Sequence, residues 1–331
     1  MEKIKINLSY LTYSTIINDA EAFNIYKANG EINKNEIFNR IVANLAMEQI
    51  KKRIDKKNKY RELLLNYKVD EKYLNELIDN LQSIELDKFK REEAYDQIVM
   101  IRPTKLYEDI FNEIIYNYLD NNSISSYFRN LFDYYASLNQ DEREQIIFKK
   151  QLDKINSSIK NNINIKVKMG SSIVDFNVYK VVTTKEKLFN YVLGVIETNK
   201  NKRKTITLHL NKIGEIVTST KLSSFTSDEI KMLNNMIEKG AQFAAGEYLY
   251  AKIELTNYGK KKFRNIFLNR PTLYKQVGNV YYFHSSRTQL FQYFSRFGND
   301  AYILSPKILR NDLLEYYKDG YEYYSERIEE E

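Results

Sequence analysis

The 331-residue chain contains no cysteine, no tryptophan, three prolines and two histidines. Without cysteine there is no disulfide, no thiol nucleophile and no thiolate zinc site, and a reducing, cytoplasmic location is expected. The two histidines, His209 and His284, stand 75 positions apart, a spacing that matches no metal-binding pattern, so neither a metal nor another cofactor is expected. No run of about 18 apolar residues occurs, and no membrane-spanning helix or membrane partner is expected. The polar start Met1-Glu2-Lys3-Ile4-Lys5-Ile6-Asn7 lacks the apolar core of a signal peptide. Phosphate-binding loops, nucleophile elbows and dinucleotide fingerprints are also missing. Gly259-Lys260 has neither the upstream glycine nor the following hydroxyl of a phosphate loop. These absences predict a binding protein and not an enzyme.

What the chain does have is positive charge, a net +7, and it is unevenly placed. Residues 34–68 carry ten Lys/Arg against four Asp/Glu, a net +6 that includes Lys51, Lys52 and Arg53. A basic helical face of this kind is either a solvated surface or the footprint of a polyanion such as nucleic acid.

The first residues alternate, with Lys3, Lys5 and Asn7 on one side and Ile4, Ile6 and Leu8 on the other, which predicts a short strand with one apolar face. Tyr13, Ile16, Ile17, Ala20 and Phe23 then recur at helical spacing, and Asn29-Gly30 breaks that helix. Asn33, with Glu36 three residues on, predicts a capping box. It opens a second helix with Ile37, Phe38, Ile41, Val42 and Leu45 on one stripe. Residues 97–136 repeat the pattern. Gln97-Ile98-Val99-Met100-Ile101-Arg102 reads as a strand and Pro103-Thr104 as the start of a helix bearing Phe111 and Ile114. After a turn at Asn121-Asn122-Ser123 comes a second helix with Phe128, Leu131, Phe132 and Tyr135. Phe38 aligns with Phe128 and Ile41 with Leu131 at one offset. One such unit cannot bury its own stripe, so the two copies are expected to pair within the chain. With Ile98 and Met100 facing inward, the outward positions of the second strand are Gln97, Val99 and Ile101. Between the copies, residues 47–94 are expected to be helical, with Asp70 capping a helix that runs through Leu81.

Strand, helix, turn and helix within about 50 residues resembles the ribbon-helix-helix family. The resemblance implies an antiparallel ribbon of two strands in a DNA major groove, with outward side chains on base edges and the second helix's N-terminus on a phosphate. Carried onto this chain, it puts Lys3, Lys5 and Asn7 in the groove and Asn33, Lys34 and Asn35 on the backbone. Lys51, Lys52 and Arg53 extend the nucleic-acid-binding surface. Two apolar outward residues on the second strand reach thymine methyls but read few hydrogen-bonding edges.

Asp141 to Asn161 reads as a helix leading to strands that begin near Ile163. A hairpin turn at Met169-Gly170-Ser171-Ser172 follows, with strands at 176–182, 189–195 and 205–213. Within the second of these, Asn190-Tyr191-Val192-Leu193-Gly194 resembles the signature of the WYL domain, a small Sm-like β-barrel of bacterial regulators. Tyr191 and Gly194 hold the signature's Tyr and Gly, while Asn190 and Val192 stand at its Trp and Leu. The resemblance implies a polar pocket for a nucleotide or oligonucleotide effector, formed here by Ser172, Asn190, Tyr191, Arg203, Lys204, His209 and Lys212. His209 and Lys212 fall where the family has arginines, and neither offers a guanidinium's bidentate fork to phosphate. Periodicity alone leaves Tyr191 open as a core aromatic and His209 as a satisfied polar residue between Leu208 and Leu210.

Ser227 to Gly240 reads as a bridging helix. Beyond it, strands at 251–256, 273–276, 280–283 and 301–304 alternate with helices at 258–267, 287–297 and from Pro306 onward. This order resembles the ferredoxin-like βαββαβ extension that follows WYL domains. The tyrosines at 316, 317, 321, 323 and 324 either stack bases or form the apolar face of a terminal helix at a homodimer interface, the latter being expected.

The expected architecture is an α+β multidomain chain. A helical, tandem ribbon-helix-helix-like region spans residues 1–160, an Sm-like β-barrel WYL domain 161–226, and a linker helix with a ferredoxin-like C-terminal extension 227–331. The expected function is a bacterial transcriptional regulator that senses a ligand or nucleic acid and binds DNA through the ribbon. One alternative is a WYL accessory protein of an RNA-targeting type VI CRISPR system, which binds single-stranded RNA and modulates the effector nuclease. Another is an interaction scaffold.

Overall fold

The computed structural model describes residues 3–87, 94–119, 123–169, 172–184, 186–197, 203–241 and 248–329. The chain divides into two units, Met1–Asp153 with Lys187–Phe189 and Lys154–Glu186 with Asn190–Glu331.

In the first unit, β1 (Ile4–Leu8) buries Ile4, Ile6 and Leu8, as its alternation predicts. It pairs antiparallel with β2 (Gln97–Ile101), and Ile6 faces Val99 at the centre of the ribbon. The phase expected for β2 is reversed: Val99 and Ile101 are buried, and Ile98 and Met100 are exposed. Residues opposite each other in an antiparallel pair share a face, so Val99 and Ile101 must join Ile6 and Ile4 on the apolar side.

Next comes α1 (Tyr10–Ala22), opened by Ser9, whose hydroxyl accepts the Thr12 N–H at 3.2 Å. Gly30, at φ +84°, turns the chain towards α2 (Lys34–Ile41). A π-helical turn at Val42–Ala46 passes α2 into α3 (Met47–Asn66), and α4 (Glu71–Asp87) begins after Asp70, whose carboxylate accepts the Lys72 N–H at 3.0 Å. The expected helical insert is therefore a pair of helices through residue 87, while 88–93 lie outside the described residues.

The second copy supplies α5 (Glu108–Asn117) and α6 (Ile124–Ser137). A turn separates Pro103-Thr104 from α5, because the Thr104 carbonyl accepts the Tyr107 and Glu108 N–H groups at 2.8 and 2.9 Å. Asn121 and Asn122 of the expected turn are outside the described residues. Phe38 meets Phe132 edge-on with ring centroids 5.1 Å apart, and Phe111 lies 5.4 Å from Phe128. All four rings are fully buried, each removing enough apolar surface from water to favour folding by about 2–3 kcal/mol. The two copies thus share one ribbon and one core. The first unit ends with α7 (Gln140–Ile147) and the start of α8 (Lys149–Asn161), whose residues from Lys154 belong to the second unit; the two helices are broken at Phe148 where one was expected. Arg143 of α7 donates to both Asp19 carboxylate oxygens of α1, at 2.6 and 3.0 Å, and Tyr135 of α6 donates to the same group at 2.8 Å. Burial raises the Asp19 pKa and Arg143 opposes that rise, so the network ties three helices at a dry site.

In the second unit, β3 (Ile163–Met169), β4 (Ser172–Thr183), β5 (Asn190–Glu197), β6 (Arg203–His209) and β7 (Ile216–Leu222) form an antiparallel sheet of order β6-β5-β4-β3-β7. The expected turn residues Gly170 and Ser171 are outside the described residues. The sheet is open rather than a closed barrel: among the described residues β6 and β7 remain its edges. The register of β4 against β5 shifts between Val178 and Lys180, and Gly194 lies under this irregularity. A Cβ at Gly194 would stand 2.1 Å from the Asn177 carbonyl oxygen, so the backbones approach as only glycine permits. After the sheet, α9 (Ser227–Lys239) is capped by Thr226 in a reciprocal pair with Glu229 and buries Leu233 and Met236.

The remainder runs β8 (Tyr248–Leu255), α10 (Asn257–Asn265), β9 (Leu273–Val277), β10 (Val280–Ser286), α11 (Arg287–Phe294), β11 (Ala301–Ser305) and α12 (Lys307–Glu329). Its connectivity is βαββαβ followed by a helix, and its antiparallel sheet has the order β11-β8-β10-β9. Ala251, Ile253, Phe283 and Ile303 from the sheet are buried with Phe263, Leu290, Tyr293, Phe294 and Leu309 from the helices. The last turns of α12 leave Tyr321, Tyr323 and Tyr324 exposed.

Candidate nucleic-acid interface

The ribbon presents two antiparallel rows. Lys5 faces Met100 and Asn7 faces Ile98, while Lys3 and Arg102, one position beyond the Ile4–Ile101 pair, are both exposed. Ile98 is 60% exposed and Met100 52%. The surface is cationic at one end, from Lys3, Lys5 and Arg102, and apolar along β2. Cations serve phosphates of any sequence, whereas Ile98 and Met100 offer contact to base faces and methyls without donor or acceptor.

The residues expected to grip a phosphate have other work. Asn33 caps α2, its side chain accepting the Glu36 N–H at 3.2 Å. The Glu36 carboxylate does not complete the expected box: it accepts from Arg40 at 2.6 Å and from the Tyr107 hydroxyl at 3.2 Å. Lys34 donates to the Tyr13 hydroxyl at 2.8 Å and lies over that ring. Asn35 both donates to the Arg102 carbonyl and accepts its N–H, each at 2.9 Å, and Asn39 donates to the same carbonyl at 3.1 Å. At the other end Arg129 donates to the Asn7 carbonyl at 2.9 Å and lies 4.3 Å from the Tyr95 ring. Each second helix therefore holds the backbone end of the ribbon and fixes its outward row.

On α3, Lys51 and Lys52 are exposed, and Lys52 pairs with Glu48 at 2.7 Å, which raises its pKa. Arg53 lies within the helix. Lys57 pairs with Asp79 at 3.2 Å and Arg61 donates to Asn75 at 2.7 Å, so part of the basic run ties α3 to α4.

The expected effector pocket is not assembled as one cluster. Tyr191 faces His209 across β5 and β6, with ring centroids 4.2 Å apart, and Lys212 follows in the next turn. Asn190 is fully buried and accepts from the Thr183 hydroxyl at 3.1 Å. Arg203 faces Glu197, six residues along the same hairpin from the Tyr191–His209 pair, about 20 Å away. Ser172 begins β4 four residues before Phe176, which faces Ile196 near the Arg203 end. Arg203 is occupied there: its guanidinium donates to both Glu229 carboxylate oxygens at 2.8 and 3.0 Å and to the Ser224 carbonyl at 2.7 Å. Lys204 beside it is exposed. Burial first, and the Lys212 charge second, hold the His209 pKa below its usual value. A neutral imidazole is a poor replacement for an arginine at a phosphate.

No protein-family model matches the chain, and no curated protein matches it significantly. Among solved structures it is similar to one described as a CRISPR Cas-related protein. The two align over 99% of this chain and 95% of the other, at a TM-score of 0.77 and 22% identity, which establishes a common fold. Proteasome accessory factor B/C (PafBC) of Arthrobacter aurescens aligns at a TM-score of only 0.25, with 13% identity, 77% of this chain and 44% of that one.

Ile98, Met100 and Arg102 are the interface residues that sequence reading misplaced or passed over. Pairing β2 against the clean alternation of β1 would have found them, since the two apolar faces must coincide.

Among the described residues no group of three or more His, Asp or Glu could hold a metal ion, and no helix is long and apolar enough to cross a membrane.

Proposed function

We propose that this chain is a non-catalytic accessory protein of an RNA-targeting CRISPR system and that it binds single-stranded RNA. The observation that carries the reading is the outward placement of Ile98 and Met100 on the ribbon, beside Lys3, Lys5 and Arg102. An operator reader needs donors and acceptors aimed at base edges. A face of cations with apolar groups suits unpaired bases, whose exposed rings are lost from contact in a duplex. Similarity along nearly the whole chain to a CRISPR Cas-related protein supports the same reading. In it the five-stranded sheet acts as a WYL-type module and the βαββαβ unit as its extension. The chain forms a homodimer through the exposed tyrosines of α12.

A second reading, a DNA-binding regulator, is favoured by one feature: Lys5 and Asn7 stand on the outer face of a paired ribbon. The two readings separate in a fluorescence titration of the full chain against a single-stranded RNA and a DNA duplex. Ile98→Ser/Met100→Ser is expected to weaken RNA binding about tenfold. If it leaves RNA binding unchanged while Lys5→Ala abolishes duplex binding, the regulator stands in its place.

A further inference from the structure

One face of the sheet formed by β8 to β11 is covered over β11, β8 and β10 by the helices of its own βαββαβ unit, the edge strand β9 is exposed along its length, and the other face is open. The open face follows from alternation: Tyr250 and Lys252 on β8 point away from buried Leu249, Ala251 and Ile253, and Tyr282 and His284 on β10 away from buried Tyr281 and Phe283. Across the strands these residues fall into rows. Tyr282 faces Lys252 on one side and Lys275 of β9 on the other, and the two ammonium groups lie 5.8 and 5.9 Å from its ring centroid. In the next row, about 7 Å along the strands, Tyr250 faces His284 with their rings 4.1 Å apart and 9° from parallel. Tyr250 is 72% exposed, so its second face is open to solvent.

We propose that this face is a base-stacking platform for single-stranded RNA, a binding surface separate from the ribbon; the choice of RNA rests on the function proposed above. A base stacked on the open side of Tyr250 extends an existing parallel stack, and a second base lies over Tyr282. Lys252 and Lys275 then meet the phosphates between them. Neither lysine has a carboxylate partner within ion-pair distance among the described residues, and both are already held beside a ring. Glu254 is the acidic residue in line with Lys252 on β8. It faces Val280 and Tyr302, one row beyond Tyr282, so an RNA strand is expected to run along the Tyr282 and Tyr250 rows and away from it. A duplex cannot use the platform, because its base faces are already stacked.

The test is a fluorescence-anisotropy titration of the full chain with a labelled single-stranded RNA and with an oligomer of the same length that lacks bases. Tyr250→Ala and Tyr282→Ala are each expected to weaken RNA binding about tenfold with little change in the salt slope. Tyr282→Phe should bind within about twofold of the wild type. Lys252→Gln/Lys275→Gln should lower the salt slope and leaves the core untouched, so it reports even if a tyrosine variant fails to fold. Base-free oligomer should respond to the lysine variants and not to the tyrosine variants. Wild-type RNA binding that all of these variants leave unchanged overturns the platform while the proposed function stands. A wild type that binds no single-stranded RNA overturns both. Loss of a dimer in Tyr250→Ala with RNA affinity intact makes the face a protein contact and overturns the platform as well.

Discussion

The side-chain amide of Asn35 closes both backbone hydrogen bonds of Arg102, donating to its carbonyl and accepting its N–H at 2.9 Å each. The start of α2 is thereby bound to the end of β2, and the amide expected to meet a phosphate is spent on the protein itself. Asn35→Ala removes the partner of the Arg102 N–H while the carbonyl keeps Asn39, a loss of about 0.5–1.5 kcal/mol at this exposed site. Thermal unfolding should show it as a lower Tm, with nucleic-acid affinity within about twofold of the wild type by the same argument. An unchanged Tm with a large loss of affinity would return Asn35 to the interface.

Lys3 and Lys5 should contribute through phosphate. Each phosphate contact to a single strand releases counterions and adds roughly 0.7 to the slope of log affinity against log salt. Lys3→Ala/Lys5→Ala is therefore expected to flatten that slope by about 1.4. Ile98→Ser/Met100→Ser should weaken binding with no change in slope. A slope insensitive to the lysines would place the phosphates elsewhere.

Gly194 permits β4 to bend across β5, since a Cβ there would meet the Asn177 carbonyl oxygen at 2.1 Å. Gly194→Ala must push two paired strands apart, at a cost of about 3 kcal/mol or more. Urea unfolding should report it, or the variant should fail to accumulate as soluble protein. Wild-type stability in the variant would mean that the strands part freely.

His209 gives the second unit a pH dependence. Burial and Lys212 lower its folded pKa below the ordinary 6.5, so the unfolded chain takes up the proton first. Stability from this group is complete above about pH 6.5 and declines as pH falls towards the folded pKa. His209→Gln should remove that decline, so that denaturant unfolding shows a constant difference between wild type and variant above about pH 6.5 and a progressive loss of wild-type stability relative to the variant as pH falls. Parallel curves between about pH 7.5 and 5.5 would show that the imidazole titrates normally.

How much of this was legible beforehand depended on contrast along the chain. Lys3 to Leu8 alternates cleanly between polar and apolar residues, so the buried face of β1 could be read directly. Ile98, Val99, Met100 and Ile101 are all apolar, a run with no period, and only pairing with β1 decides which of them turn outward. Asn33 was readable as a cap because the cue is local, whereas the Asn35–Arg102 pair spans 67 positions. Arg203 and Glu229 are both visible as charges, but their meeting depends on where α9 lies against β6. In the last quarter, the turn at Gly298 and the Ser286 cap mark element ends in the sequence itself, and the strand order β11-β8-β10-β9 follows the expected βαββαβ succession.

The most direct test of the proposed function is a competition titration of the wild-type chain. A labelled single-stranded RNA is bound first, then challenged with unlabelled RNA, single-stranded DNA and duplex DNA of varied sequence at two salt concentrations. Displacement by single-stranded RNA at least tenfold more effective than by any duplex, with a steep salt dependence and little sequence choice, is the predicted result. Displacement by one duplex sequence about a thousandfold better than by others, with single strands ineffective, would contradict it and make the chain an operator-binding regulator.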